Sequence, residues 1–464
     1  MPPRGPPKPA HGPGPGRVYQ LRRRPNINST HKVASTFQIL TFGAVGMAVV
    51  LALLPAAGHD QLWFLLMAER WLRGAALYGP EAFDSNTPAI VWLSALPVAL
   101  AGRLHISLPC MAKLMMTLLE AAIAACSWRV LGRLPIRLSS AGGWYLAFAF
   151  VALFAVAPAR DFGQRDLIAA LLCLPYILVA AQPLCSWRMR LLTAAFAAVG
   201  VCTKPQIALI PIAVELAALL LPRGPETRGR LRFEPLVLLA GGTVFLVSIH
   251  LFAPLYLSQA LPTTLATYWA IGHLGLAQLI GQSIQLSILL AVVVMLLAPA
   301  LRTRSEAAIT LRPVLLLLTV AGLAGVLAYY QQATGWYYQQ LPAITLLGAA
   351  LALELLVLVE HIPFAAPNWL PGAAAGLSGL AVALTLHFSG YPITEQRAYA
   401  IRSPDPSFFA GLAPGTPVAT LTTSVDDAIE PVFRYHLTWA QRTDNLWTLP
   451  AILRASSPTA TVRA

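Results

Sequence analysis

Charge is scarce in this chain, and acidic charge scarcest: 19 Asp and Glu among 464 residues, against 32 Lys and Arg. Cysteine is nearly absent too. The five present, Cys110, Cys126, Cys173, Cys185 and Cys202, sit in or beside apolar segments without metal-ligand spacing, which excludes a zinc module and a disulfide framework. Strand-like alternation is missing from the apolar runs, and an open sheet cannot satisfy its backbone in lipid, so an outer-membrane barrel is excluded. The net charge of +13 does not indicate nucleic acid, because the basic residues fall in short loops between apolar runs, where they act as topology signals.

Hydrophobic residues make up 57% of the chain, and apolar runs of about 18–22 residues recur along it, the signature of spanning helices. The expected fold is an all-α polytopic membrane protein with about 11 transmembrane helices. Residues 1–34, rich in Pro, Gly and Arg, read as a disordered basic cytoplasmic tail. The transmembrane domain occupies 35–388, and 389–464 reads as a small α/β domain outside the membrane. Segment 89–104 is apolar but short, with Pro88 before it and Pro97 within it. If it does not cross, every Arg-rich short loop lies on the cytoplasmic side, so 57–107 is read as a first outer loop with juxtamembrane helices. The same parity places 159–166, the corner 203–206, the loop 256–281, the stretch 331–340 and the C-terminus together on the outer face.

The residues able to carry chemistry lie in those outer segments. Asp60, beside His59 at the end of the first span, suits a general base or metal ligand, the plain alternative being an interfacial charge. Residues 60–74 read as an amphipathic surface helix with Trp63, Phe64, Met67 and Trp71 inward and Glu69, Arg70 and Arg73 solvated. The loop 159–166 gathers Arg160, Asp161, Gln164, Arg165 and Asp166; arginine forks match phosphate geometry, and a second carboxylate could hold a metal or orient a hydroxyl. Lys204, followed by Pro205, either snorkels or binds phosphate. Gln332, Trp336, Tyr337 and Tyr338 suit a sugar or prenyl chain, or form an interfacial belt. Within the spans, Lys113 and Glu120 share a face and are expected to pair, while Glu215 and Glu354 read as isolated charges.

The order of these parts resembles the GT-C superfamily of membrane glycosyltransferases, which take sugars from polyprenyl-phosphate carriers. The resemblance is carried by GHDQLWF around Asp60, by 68–97, by FGQRDLIAALLCLPYILVAA (162–181), by TKPQIALIPIAVEL (203–216) and by GWYYQQLPAITLL (335–347). It implies a bacterial inner-membrane enzyme with a periplasmic site, an N-terminus in the cytoplasm and a C-terminus in the periplasm. Asp60 becomes the first-loop acid, Asp161 or Asp166 the second, and Arg160, Arg165 and Lys204 phosphate ligands. A divalent cation is admitted but not demanded, and no metal ligand is assigned. The implied partners are a lipid-linked sugar donor, membrane lipids and a glycan or lipid acceptor. A flippase or transporter of lipid-linked glycans, or a glycan-binding scaffold without catalysis, is the alternative.

Overall fold

The computed structural model describes residues 27–53, 59–134, 138–158, 161–182, 185–221, 232–270, 274–359, 369–387, 409, 411–419, 421, 429–444 and 446–454. The apolar runs fold as helices: α1 (Ile27–Leu53), α2 (His59–Leu72), α3 (Pro88–Leu104), α4 (Leu108–Leu131), α5 (Ser140–Val151, extended by a π-helical turn Ala152–Val156), α6 (Arg165–Ala180) and α7 (Trp187–Thr203). A 3-10 turn (Pro205–Ala208) leads into α8 (Leu209–Leu220), followed by α9 (Glu234–Phe252), a π turn (Tyr256–Ala260) and α10 (Leu261–Thr267). A 3-10 turn (Tyr268–Ala270) precedes α11 (Leu276–Gln282), α12 (Ile284–Arg302) and α13 (Glu306–Gln332); another (Tyr337–Gln340) precedes α14 (Leu341–Val359) and α15 (Leu370–His387). Among the described residues, six helices are long and apolar enough to cross a membrane, and four shorter apolar helices accompany them. The protein is therefore an all-α, membrane-embedded chain.

Two expectations about boundaries change. The stretch 1–34 does not stay apart from the first helix: α1 starts at Ile27, while 1–26 lie outside the described residues. Once a helix is nucleated, each further residue adds a hydrogen bond, so a spanning helix readily runs into its polar flank. The loop 256–281 is also largely helical, holding α10, α11 and two tight turns.

At the centre stand α6, α13 and α14. Every residue of α6 except Ile168 is buried. Without a hydrophobic drive between helices in lipid, close approach depends on small side chains. A Cβ on Gly325 would lie 2.9 Å from the Ala343 amide nitrogen. By contrast α9 presents Leu236, Leu239, Val244 and Leu251 outward, as a lipid-facing helix does.

Several contacts gather one end of the bundle. Lys113 Nζ, in the second turn of α4, donates to the Leu51 carbonyl at 3.2 Å near the end of α1. The expected partner, Glu120, is buried with Oε1 unpartnered. At the other end of α3, Thr87 Oγ1 donates to the carbonyls of Cys202 (3.0 Å) and Thr203 (3.1 Å), where α7 ends. Only three residues separate α3 from α4, so the end of α3 lies beside the start of α4.

The C-terminal segment packs on that end. Its strands, β1 (Pro417–Val418) and β2 (Thr438–Trp439), form one short parallel pair, with α16 (Glu430–Arg434) and α17 (Leu449–Arg454) beside them. Ile429, Val432 and Trp439 join the core built around Leu62, Trp63 and Phe64. Arg442 stacks on Phe83 at 4.3 Å and donates Nε to the Gly79 carbonyl at 2.9 Å. Arg70 donates to the carbonyls of Glu81, Trp439 and Gln441.

Arg70 is therefore a strut rather than part of a solvated face, and α2 is not half-immersed. Leu62 through Ala68 are buried all round, because α3 and the C-terminal segment close over the helix. At the opposite end Glu215 is not isolated either. Arg232 grips it with Nε (2.9 Å) and Nη2 (2.7 Å), and the Tyr176 hydroxyl donates to it. Beside them Arg190 holds Glu234 through Nε (2.7 Å) and Nη2 (2.8 Å).

Candidate functional site

The second loop builds the floor of the site. Gly163 has φ +92°, a left-handed conformation that an L side chain enters only at a cost, and a Cβ there would lie 2.4 Å from Gln61 Nε2. This turn starts α6 at Arg165 and seats the first turn of α2, with Asp60 and Gln61, against the second loop. Asp166 is fully buried and Arg165 nearly so. Lys204 reaches in from the end of α7: its Nζ donates to Asp166 Oδ1 at 2.5 Å and lies 5.6 Å from the centre of the Tyr338 ring. Arg165 Nε is 3.7 Å from Asp166 Oδ2, and its guanidinium lies 5.7 Å from the Phe64 ring. Nε and Nη1 of Arg165 have no hydrogen-bond partner.

A carboxylate that the sequence reading did not single out belongs here. Asp84 is buried in the loop between α2 and α3, where Asn86 Nδ2 donates to both its oxygens (3.1 and 3.0 Å) and the Ser85 amide to Oδ1 at 2.6 Å. The Tyr78 hydroxyl donates to the Asn86 carbonyl at 2.7 Å, which fixes the loop. Burial pushes the Asp84 carboxyl up; Asn86 and Arg165 oppose this, and the Asp60 charge adds to it. The signal in the sequence was Asp84-Ser85-Asn86, a self-capping turn.

Asp60 lies within electrostatic range of Arg165, Asp84, Lys204 and Tyr268. Burial works against the Arg165 charge, yet Tyr338, Asp60, Asp166 and Asp84 around it raise its pKa. Burial lowers the Lys204 pKa to about 8 despite Asp166 beside it. Asp60, Arg165, Asp166, Lys204 and Tyr338 thus meet in one cluster.

The other candidates are placed less centrally. Asp161 is buried in the turn before Gly163. Trp336, 40% exposed, stacks on Tyr338 with ring centres 5.8 Å apart. Gln332 donates its amide to the Ala328 carbonyl of its own helix at 2.9 Å, and the Tyr337 hydroxyl donates to the Ala157 carbonyl at 3.0 Å. Arg160 and the side chain of His59 lie outside the described residues. Among the described residues no group of three His, Cys, Asp or Glu is placed to hold a metal ion.

No family model matches the chain, and no curated protein or solved structure does either.

Proposed function

We propose that the protein is a glycosyltransferase that moves a sugar from a polyprenyl-phosphate donor to a lipid or glycan acceptor at the outer face of the inner membrane. The observation that carries this reading is the buried cluster itself, which sets a carboxylate, Asp60, against a guanidinium with unused donors, Arg165, and an ammonium, Lys204. In this reading Asp60 takes the proton of the acceptor hydroxyl as its oxygen attacks the anomeric carbon. The bond from that carbon to the phosphate oxygen breaks, with inversion, and polyprenyl phosphate leaves. Its charge is met by Arg165 and Lys204, so no acid is needed on the leaving group. Trp336 and Tyr338 supply an aromatic face beside the cluster.

The chain would cross about eleven times, with its N-terminus inside and the C-terminal segment, read as a small α/β domain, outside. In this topology α3 would lie along the membrane surface with α2. Loss of the gene should then remove one sugar from an envelope glycan and leave its lipid-linked donor to accumulate. An unchanged glycan profile overturns the proposal.

One observation favours transport of a lipid-linked glycan instead. Glu354 of α14 is wholly buried with both carboxylate oxygens unpartnered, and intramembrane carboxyls of this kind mark translocation paths. Passage of the lipid-linked sugar across vesicles, with no glycosidic product, decides for that reading.

A further inference from the structure

Four buried side chains around the Gly163 turn carry polar atoms without a hydrogen-bond partner: Gln61 Oε1, both amide atoms of Gln164, Nε and Nη1 of Arg165, and Oδ2 of Asp166. Gln164 is 1% exposed and Gln61 9%. A carboxamide left dry in a protein interior costs stability, and nearly all buried polar groups are paired, so two such amides at one turn call for an occupant. The amide of Gln61 covers the Gly163 backbone, and Gln164 is the next residue, so the two flank one backbone turn between Asp60 and Arg165.

The inventory of unused groups restricts the chemistry of that occupant. An ionised phosphate only accepts hydrogen bonds. It answers Arg165 Nη1 but cannot answer Gln61 Oε1 or Gln164 Oε1, while Arg165 Nε and Asp166 Oδ2 face each other at 3.7 Å. A hydroxyl both donates and accepts, and two neighbouring hydroxyls match the carbonyl and NH2 of one carboxamide, whichever way the amide is turned. The set as a whole therefore fits an anion joined to a ring of hydroxyls.

We propose that Gln61 and Gln164 form a hydroxyl-reading pair that recognises the sugar ring of a glycosyl phosphate, next to a phosphate position at Arg165. This rests on the proposed function and adds the residues that distinguish a sugar-bearing carrier from a bare one. They are specificity residues that touch the ring and take no part in bond making.

Replacing Gln164 by Met keeps the length of the side chain and removes the dry polar atoms. The test compares the purified full chain with Gln164→Met and Gln61→Met in detergent. Each is titrated with undecaprenyl phosphate and with the same lipid carrying single hexoses or pentoses, with binding and melting temperature followed together. Wild type should bind at least one sugar-bearing lipid more tightly than the bare one. In each variant that preference should shrink by at least about tenfold, while bare-lipid affinity stays within about twofold and the ligand-free melting temperature is unchanged or higher. Equal loss for both lipids, no loss, no wild-type preference for any sugar, or collapse of the ligand-free fold in both variants each overturns the pair. If wild type fails to bind even undecaprenyl phosphate, the phosphate reading itself has failed, and the pair falls with it.

Discussion

Lys204 shows what burial does to one charge. Its pKa is lowered to about 8, whereas an unfolded lysine titrates near 10.4. Between these values the unfolded chain binds the extra proton, so this residue makes the folded state more stable as pH rises, not less. Its contribution to anion binding runs the other way and is lost through about pH 8. Affinity for undecaprenyl phosphate, measured from pH 6.5 to 9, should therefore fall through about pH 8 with no drop in melting temperature. Lys204→Arg, which keeps its charge throughout, should flatten that fall. A step that survives in Lys204→Arg assigns the titration elsewhere. Lys204 and Arg165 could be picked out in the sequence because each is a cation at an apolar boundary. The fixed pairing of Lys204 with Asp166, and the place of Asp84, could not, since both depend on which loops the bundle brings together.

Between elements, a glycine and an arginine hold the site's frame. Gly163 lets the second loop turn under Gln61. Gly163→Ala should cost about 1–2 kcal/mol for the left-handed backbone alone, and should displace Gln61, seen as a lower melting temperature with weaker lipid binding. Arg442 ties the C-terminal segment to the loop that carries Asp84. Arg442→Ala removes a stacked cation and a backbone hydrogen bond, about 1–3 kcal/mol together. Faster amide exchange should then appear in 429–444 while α6 stays protected; unchanged exchange in 429–444 refutes the strap. The short length of 389–464 and its lack of cysteine are consistent with a segment that packs against other parts of the chain. The sequence did not convey that Leu62 through Ala68 of α2 are enclosed on every side. The helical period of 60–74 marks one apolar face, and what covers the other, Arg70 included, comes from residues some 370 positions later.

At the scale of the whole molecule, apolar run length located the helices, and charge parity proposes that 89–104 does not cross the membrane. Periodicity could not anticipate the ion pairs of Arg190 with Glu234, which joins α7 to α9, and of Arg232, just before α9, with Glu215 of α8. The proposed topology makes its own prediction: in a cysteine-free background, an impermeant maleimide should label Trp269→Cys from outside the cell and Arg304→Cys only after permeabilisation. The reverse pattern inverts the proposed orientation. The central claim, that this cluster performs sugar transfer, is tested most directly by one measurement. Purified protein in vesicles is given radiolabelled polyprenyl-phosphate sugar and an envelope glycan, and wild type is compared with folded Asp60→Asn. Label should move into the glycan with wild type, and at least about 100-fold more slowly with Asp60→Asn, the loss expected for a general base. Undiminished transfer by Asp60→Asn, or label that crosses the bilayer without forming a glycosidic bond, would contradict it.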